Sequence, residues 1–116
     1  MKKIKSSCPV ERSLEIINGK WKICILWKLY EKNHRFGELK KSIPDITIKM
    51  LSQQLKELEF AKFINRKDYH TIPPKVEYSL TKFGESFQPI IDMIANWGIN
   101  NKNHIDKTLK KLEKIN

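Results

Sequence analysis

Cysteine is scarce in this chain of 116 residues: Cys8 and Cys24 are its two thiols, and they stand far apart. That excludes a disulfide scaffold and a zinc ribbon, which need closely spaced thiols. The three histidines, His34, His70 and His104, are isolated from one another, so the spacing argues for no metal, and no cofactor is expected. There is no apolar run of about 18 residues, the length that marks a transmembrane helix, so no membrane partner is expected. The N-terminus carries Lys2, Lys3 and Lys5 without the apolar stretch of a secretory signal, which points to the cytoplasm. A Gly-rich phosphate loop, a paired-acid cleft and a useful Ser/His/Asp order are also missing, so an enzyme finds no support. Internal repeats and low-complexity tracts are absent too.

Acid is the minority charge. There are 23 Lys and Arg against 13 Asp and Glu, a formal net charge of +10. Residues 1–60 hold 13 cations and 7 acids, residues 61–101 hold 5 and 4, and residues 102–116 hold 5 and 2. A surface this cationic favours a polyanion, and nucleic acid is the commonest in a cytosol, although a lysine-rich solvated surface would look the same. Hydrophobic residues make up 40%, enough for one domain with a modest core. The chain divides into 1–101, carrying the main domain and a dimerisation helix, and 102–116, a short amphipathic helical tail.

Residues 1–7 read as a basic arm. Pro9 suits the first turn of a helix capped by Ser7 or Cys8, and Val10, Leu14 and Ile17 form its stripe. Asn18-Gly19 ends it. Lys20–Glu31 is apolar on most sides through Trp21, Cys24, Ile25, Leu26, Trp27 and Leu29, so it is expected to be the central buried helix. Lys32-Asn33-His34 reads as a connection. A short helix over Phe36–Ser42 turns Phe36, Leu39 and Ile43 inward, and Pro44-Asp45 is a turn. Thr47 then caps a helix running to Phe60, with Ile46 and Leu51 at the positions of a hydrophobic staple. Strands are expected at 62–69 and 75–81, joined by His70–Lys75, where Pro73 and Pro74 cannot extend a ladder. Thr81 caps a helix to about Asn100 that Pro89 should bend, and 104–116 carries Ile105, Leu109 and Leu112 on one face.

The stretch Arg35–Phe60 is the most informative. Ile48, Leu51, Leu55 and Leu58 form one apolar stripe, whereas Lys49, Ser52, Gln53 and Lys56 form a polar face with no acid. A helix with one side in a core and the other offering hydrogen-bond donors suits a major groove. Thr47, Lys49, Ser52, Gln53 and Lys56 are therefore the candidate contacts of a recognition helix. Gln53 has the geometry for adenine and Lys49 for guanine, while Lys56 lies where the helix rises toward phosphates. Arg35, Lys40 and Lys41 are candidate phosphate contacts. In the hairpin, His70 and Lys75 are the expected polar tip, with Arg66 and Lys67 behind it. An ordinary solvated helix face and a plain surface turn are the bland alternatives. The fold class expected is mainly α with a small β-hairpin, a winged helix-turn-helix with N- and C-terminal dimerisation helices.

Four motifs in order, CPVERSLEIINGKWK, RFGELKKSIPDITIKMLSQQLKELE, IPPKVEYSLTKFGESFQPII and NWG, make residues 8–98 resemble the HxlR-type family of winged-helix bacterial regulators, related to MarR. The resemblance implies a homodimer with the N-terminal helix and helix 81–100 at its interface, and transcriptional control through a double-stranded, pseudo-palindromic DNA operator. Phe83, Phe87, Ile90, Ile91, Ile94 and Trp97 are the expected dimer contacts. LEFAKFI (Leu58–Ile64) departs from the family, which usually has a Gly near Lys62, so the turn out of the recognition helix is left open.

Cys8 has two readings. At a helix start near Lys5 and Arg12, its thiolate would be stabilised by the helix dipole and the cations, and some members of the family use a cysteine here as a sensor. Alternatively it packs at the helix start. Cys24 reads as a core thiol. An oxidant or a small molecule is thus the effector expected. Trp21, Trp27 and Trp97 read as core residues rather than a ligand cage. The competing functional class is a protein-interaction module that uses the winged fold as a docking surface, and a regulator responding to a small ligand without thiol sensing is the other alternative.

Overall fold

Leu51, Leu55 and Leu58, spaced along one helix face, are essentially without solvent exposure, and the rest of the fold is arranged to cover them. The computed structural model describes residues 7–115; of the expected basic arm, all but Ser7 lies outside the described residues. The elements are α1 (Pro9–Ile16), α2 (Lys20–Glu31), β1 (His34–Arg35), α3 (Phe36–Ser42), α4 (Ile48–Phe60), β2 (Ile64–Asp68), β3 (Val76–Leu80), α5 (Lys82–Ser86), α6 (Gln88–Asn100) and α7 (Lys102–Ile115). They fall into two units, one ending at Ser86 and the other beginning at Phe87.

In the first unit, α2 packs on α3, α4 and β3, and α4 packs on β2. Ile25, Leu26 and Leu29 from α2, Leu39 from α3, then Ile43, Ile46, Phe63, Ile64 and Tyr78 join the three leucines of α4 in the core. Each such side chain contributes about 1.5–3 kcal/mol of transfer free energy when fully covered. This is a winged helix-turn-helix: α3 and α4 are the two helices, and β2 and β3 form the wing.

Five expectations need correcting. His34 is not part of a connection. It begins β1, which pairs antiparallel with β3 through His34–Tyr78 and Arg35–Glu77, so the sheet has three strands in the order β1-β3-β2. The buried His34 ring supports this with Nδ1 2.7 Å from the Lys32 carbonyl. The helix expected over 81–100 is broken at Phe87. Pro89 lies in the first turn of α6, where a missing N–H costs nothing, and the Phe87 carbonyl accepts from Ile90 and Ile91. Ile48 leaves the apolar stripe: it is 64% exposed at the first position of α4. The tryptophans are not core residues, for Trp27 and Trp97 are exposed and Trp21 is half-buried. The last helix also starts earlier than expected, at Lys102.

Two local devices fix the wing. Gly84 is needed because a Cβ there would stand 2.1 Å from the Phe63 carbonyl oxygen, and its own carbonyl accepts a 2.8 Å bond from the Tyr30 hydroxyl. The second device closes the turn that the missing glycine left open. Lys62 N donates to Glu59 O and Phe63 N to Leu58 O, both at 3.0 Å, the pattern of a Schellman motif. Lys62 takes φ 68°, a left-handed conformation that costs a residue with a Cβ more than it costs glycine. Lys62→Gly is expected to stabilise the fold by about 1 kcal/mol, read as a higher urea midpoint at unchanged slope. An unchanged or lower midpoint would show that the turn carries no such penalty.

Candidate nucleic-acid interface

The polar face of α4 is presented by a helix locked at both ends. At its start the Thr47 hydroxyl accepts a 3.0 Å bond from Met50 N, and at its end the Lys62 turn satisfies the Leu58 and Glu59 carbonyls. Between them the buried leucines allow one rotation of the helix, which turns Lys49, Gln53 and Lys56 to solvent and leaves Ser52 half-buried. Thr47 is exposed as well, with its oxygen already used as the cap. Gln53 is tied by a 3.2 Å bond from Nε2 to Glu57 Oε2, so the carboxylate one turn further on is the resting partner of the amide.

The residues expected at phosphates are less uniform. Arg35 and Lys41 are exposed, but Lys40 is half-buried and donates to the Pro44 carbonyl at 3.1 Å, closing the turn between α3 and α4. Arg35 also gives its backbone N–H to Glu38 at 2.9 Å, and this bond is the main cause holding the Glu38 carboxyl below the ordinary range. Arg66 and Lys67 are exposed along β2.

The tip of the wing differs from the expectation. Lys75 lies at the base of the loop, where its carbonyl accepts from Tyr69 N at 2.9 Å. The ammonium groups of Lys67 and Lys75 lie 4.6 and 4.2 Å from the Tyr69 ring centroid, in cation–π contact. His70 is exposed, and Ile72 is fully exposed. Neither Tyr69 nor Ile72 was singled out in the sequence, because a lone tyrosine and a lone isoleucine beside prolines carry no pattern.

Lys22 was also missed. It sits among the apolar residues of α2 and is 5% exposed. Its ammonium donates to Glu57 at 2.7 Å, Gln54 at 2.9 Å and Asn18 at 3.3 Å. This cluster ties the start of α2 to the last turns of α4. The bond from Lys22, and less so the one from Gln53, holds the Glu57 carboxyl below its ordinary range. Beside it opens a hollow of about 670 Å³ whose walls include Ile16, Lys56, Phe60 and Ala61.

Apolar surface is exposed in each unit. In the first, Val10 and Leu14 of α1 face solvent, and Phe83 is half-exposed with its ring 4.7 Å from that of Phe63. In the second, Ile90, Met93, Ile94 and Trp97 are exposed along α6, Phe87 is half-buried, and Ile91 is already buried and has little surface for a partner. Cys8 is exposed at the N-cap of α1, and Cys24 is half-buried. Among the described residues no group of three or more His, Cys, Asp or Glu could hold a metal ion, and no helix is long and apolar enough to cross a membrane.

Residues 16–106 match the model of the HxlR-like helix-turn-helix family. The chain is 49% identical over 105 residues to the uncharacterized HTH-type transcriptional regulator YtcD of Bacillus subtilis, covering 90% of this chain and 83% of that protein. Among solved structures it is similar to the redox regulator HypR in its reduced form, at TM-score 0.82 and 41% identity over 86% of this chain and 99% of the other. The reduced form of the transcriptional regulator YodB from B. subtilis gives TM-score 0.69 and 32% identity, over 80% of this chain and 92% of the other.

The Lys22 cluster makes an asymmetric prediction. Glu57 is partly exposed and can be solvated, whereas Lys22 cannot. Glu57→Ala is therefore expected to cost about 1–2 kcal/mol, while Lys22→Met stays within about 1 kcal/mol of the parent. Because the folded carboxyl is held below its unfolded value, its contribution is complete above the ordinary carboxylate range and is lost as pH falls through the lowered folded value. The stability gap between parent and Glu57→Gln should close on acidification over that window. A gap that is constant with pH would show that the ion pair is not its source.

Proposed function

The chain belongs to the HxlR-like helix-turn-helix family of transcriptional regulators, and on that premise we propose that it acts in the cytoplasm as a homodimer on a pseudo-palindromic DNA operator. The observation that carries this reading is the face of α4: an amide and two ammonium groups in solvent, held in one rotation by buried leucines. Gln53 and Lys49 read base edges, Ser52 and Thr47 flank them, and Lys56, Lys41 and Arg35 meet phosphates. Arg66, Lys67, His70 and Lys75 bring the wing to the neighbouring backbone. Val10 and Leu14 of α1, with Ile90, Ile94 and Trp97 of α6, meet a second copy. A dimer sets two recognition helices one or two DNA turns apart, with one turn about 34 Å.

Binding to operator DNA is expected to weaken steeply with salt as counterions are released. Gln53→Ala should lose about 1–3 kcal/mol of discrimination at one base pair, whereas Lys41→Ala should weaken all sequences alike and lower the salt slope by about one. Fluorescence anisotropy against specific and random duplexes reads both, and equal losses for Gln53→Ala on the two would reject base reading there. In the same samples sedimentation should give a dimer, and Ile94→Asp a monomer with weakened operator binding. A monomeric parent at micromolar concentration would reject the dimer.

We further infer that Cys8 tunes this binding through oxidation or alkylation. Its exposure at the start of α1 supports that, as does the likeness to HypR, a redox regulator. An adduct there tilts α1 against the second copy and changes the separation of the recognition helices. Mild peroxide is expected to reduce operator affinity, with recovery on thiol reductant, and Cys8→Ser should abolish the response while Cys24→Ser keeps it. A Cys8→Ser variant that responds like the parent would move the effector elsewhere, with the hollow beside Lys22 the first place to look for a small molecule.

A further inference from the structure

We propose that Ile72 is a wedge, inserted by the tip of each wing between base pairs in the minor groove flanking the operator half-site; this rests on the DNA-binding reading above. The starting point is a side chain with nothing to do in the free protein. Ile72 is 100% exposed, so its apolar area gains nothing from folding. The loop that carries it is nevertheless held firmly, and none of its supports involves the Ile72 side chain. Tyr69 N donates to Lys75 O at 2.9 Å across the base of the loop. His70 N donates to Asp68 Oδ1 at 2.8 Å, and the Thr71 hydroxyl donates to Pro73 O at 2.9 Å. Pro73 and Pro74 fix φ and have no N–H to satisfy. The loop continues strands β2 and β3, beyond Tyr78, the last residue of the hairpin that is buried in the core.

The surroundings select the partner. Lys67 and Lys75 are held against the Tyr69 ring behind the tip, and Arg66 is exposed on the same strand. An apolar point backed by fixed cations matches a minor groove, where two phosphate walls border a stack of bases. The polar code of that groove is degenerate, and proteins exploit it by driving apolar side chains such as isoleucine into a base step and unstacking it. Pyrimidine–purine steps yield most easily, so the wedge reads deformability and favours such a step at a fixed distance from the half-site. A protein partner is disfavoured, because His70, Thr71 and Lys75 leave Ile72 without the contiguous apolar patch that such an interface requires.

The test uses the chain of 116 residues and duplexes selected from a random pool by the wild-type protein. 2-Aminopurine is placed in turn at each step flanking the half-site. Unstacking is expected to raise its fluorescence at one step when wild-type protein binds, and Ile72→Ala and Ile72→Lys should both lose that rise. Ile72→Ala is further expected to bind about tenfold or more weakly, from the apolar contact removed. Neither variant threatens folding, since the side chain touches nothing. Gln53→Ala should lose discrimination within the half-site yet keep the fluorescence rise. A wild-type complex with no bright step, or an Ile72→Ala complex as bright as the wild type, would overturn the wedge while leaving operator binding intact. Failure of the wild-type chain to bind any selected duplex would overturn the DNA reading, and the wedge with it.

Discussion

A helix that must bury three leucines in a row has one rotational setting. Leu51, Leu55 and Leu58 cover a strip along α4, and turning the helix by one residue would bring one of them to water at a cost of about 1.5–3 kcal/mol. The setting that keeps all three covered also determines which side chains point outward. Lys49, Gln53 and Lys56 are exposed because of their spacing from the leucines, so the chemistry of the outer face is a consequence of packing on the inner one. The ends of α4 reinforce this. Thr47 caps the start, and the turn at Lys62 brings Phe63 and Ile64 straight into the core and begins β2. The wing therefore leaves α4 at a fixed angle.

Lys22 strengthens the same arrangement from outside the hydrophobic strip. A buried ammonium is costly unless its hydrogen bonds are satisfied, and here three acceptors from α1's exit and α4 converge on it. Two of them, Gln54 and Glu57, belong to α4. A slide of α4 along its axis would separate them from Lys22 even if the leucines stayed buried. The leucines thus set the rotation of the helix, and the lysine cluster sets its height. The dispersion and ionic contributions restrain different degrees of freedom.

How far the sequence shows all this depends on how many residues carry a signal. Helix α4 was legible in nearly every detail because thirteen residues supply a cap, a staple and a period. The short helix α3 was legible for a similar reason, with Leu39 and Ile43 inward and Pro44 after them. The strand β1 was not, since two residues cannot show a period, and what makes His34 a strand is its neighbour β3. Lys22 was hidden because a lysine in an apolar helix reads as a solvated one until its acceptors, 32 and 35 residues away, are brought beside it. The break at Phe87 was half legible: Pro89 announced a disturbance, but a bend and a fresh start delete the same hydrogen bond. The tryptophans misled because aromatic faces along α2 and α6 look the same whether they meet their own core or remain on the surface.

Glu57 shows how stability and recognition come to share a residue. One carboxylate oxygen receives Lys22, which is buried, and the other receives Gln53, which is exposed. The first bond must persist for α4 to keep its height. The second must break for Gln53 to reach an adenine in the proposed complex, so part of the energy of base pairing is spent on releasing the amide. The exchange favours the base, because a charge-assisted bond at the surface is weakened by solvent while a bidentate contact in a groove is worth about 1–3 kcal/mol. Away from its matching base, Gln53 has a partner to return to, and a wrong base offers it nothing better. In the proposed complex the carboxylate thus competes with the correct base edge for the amide, and at a wrong base the Gln53–Glu57 bond is kept.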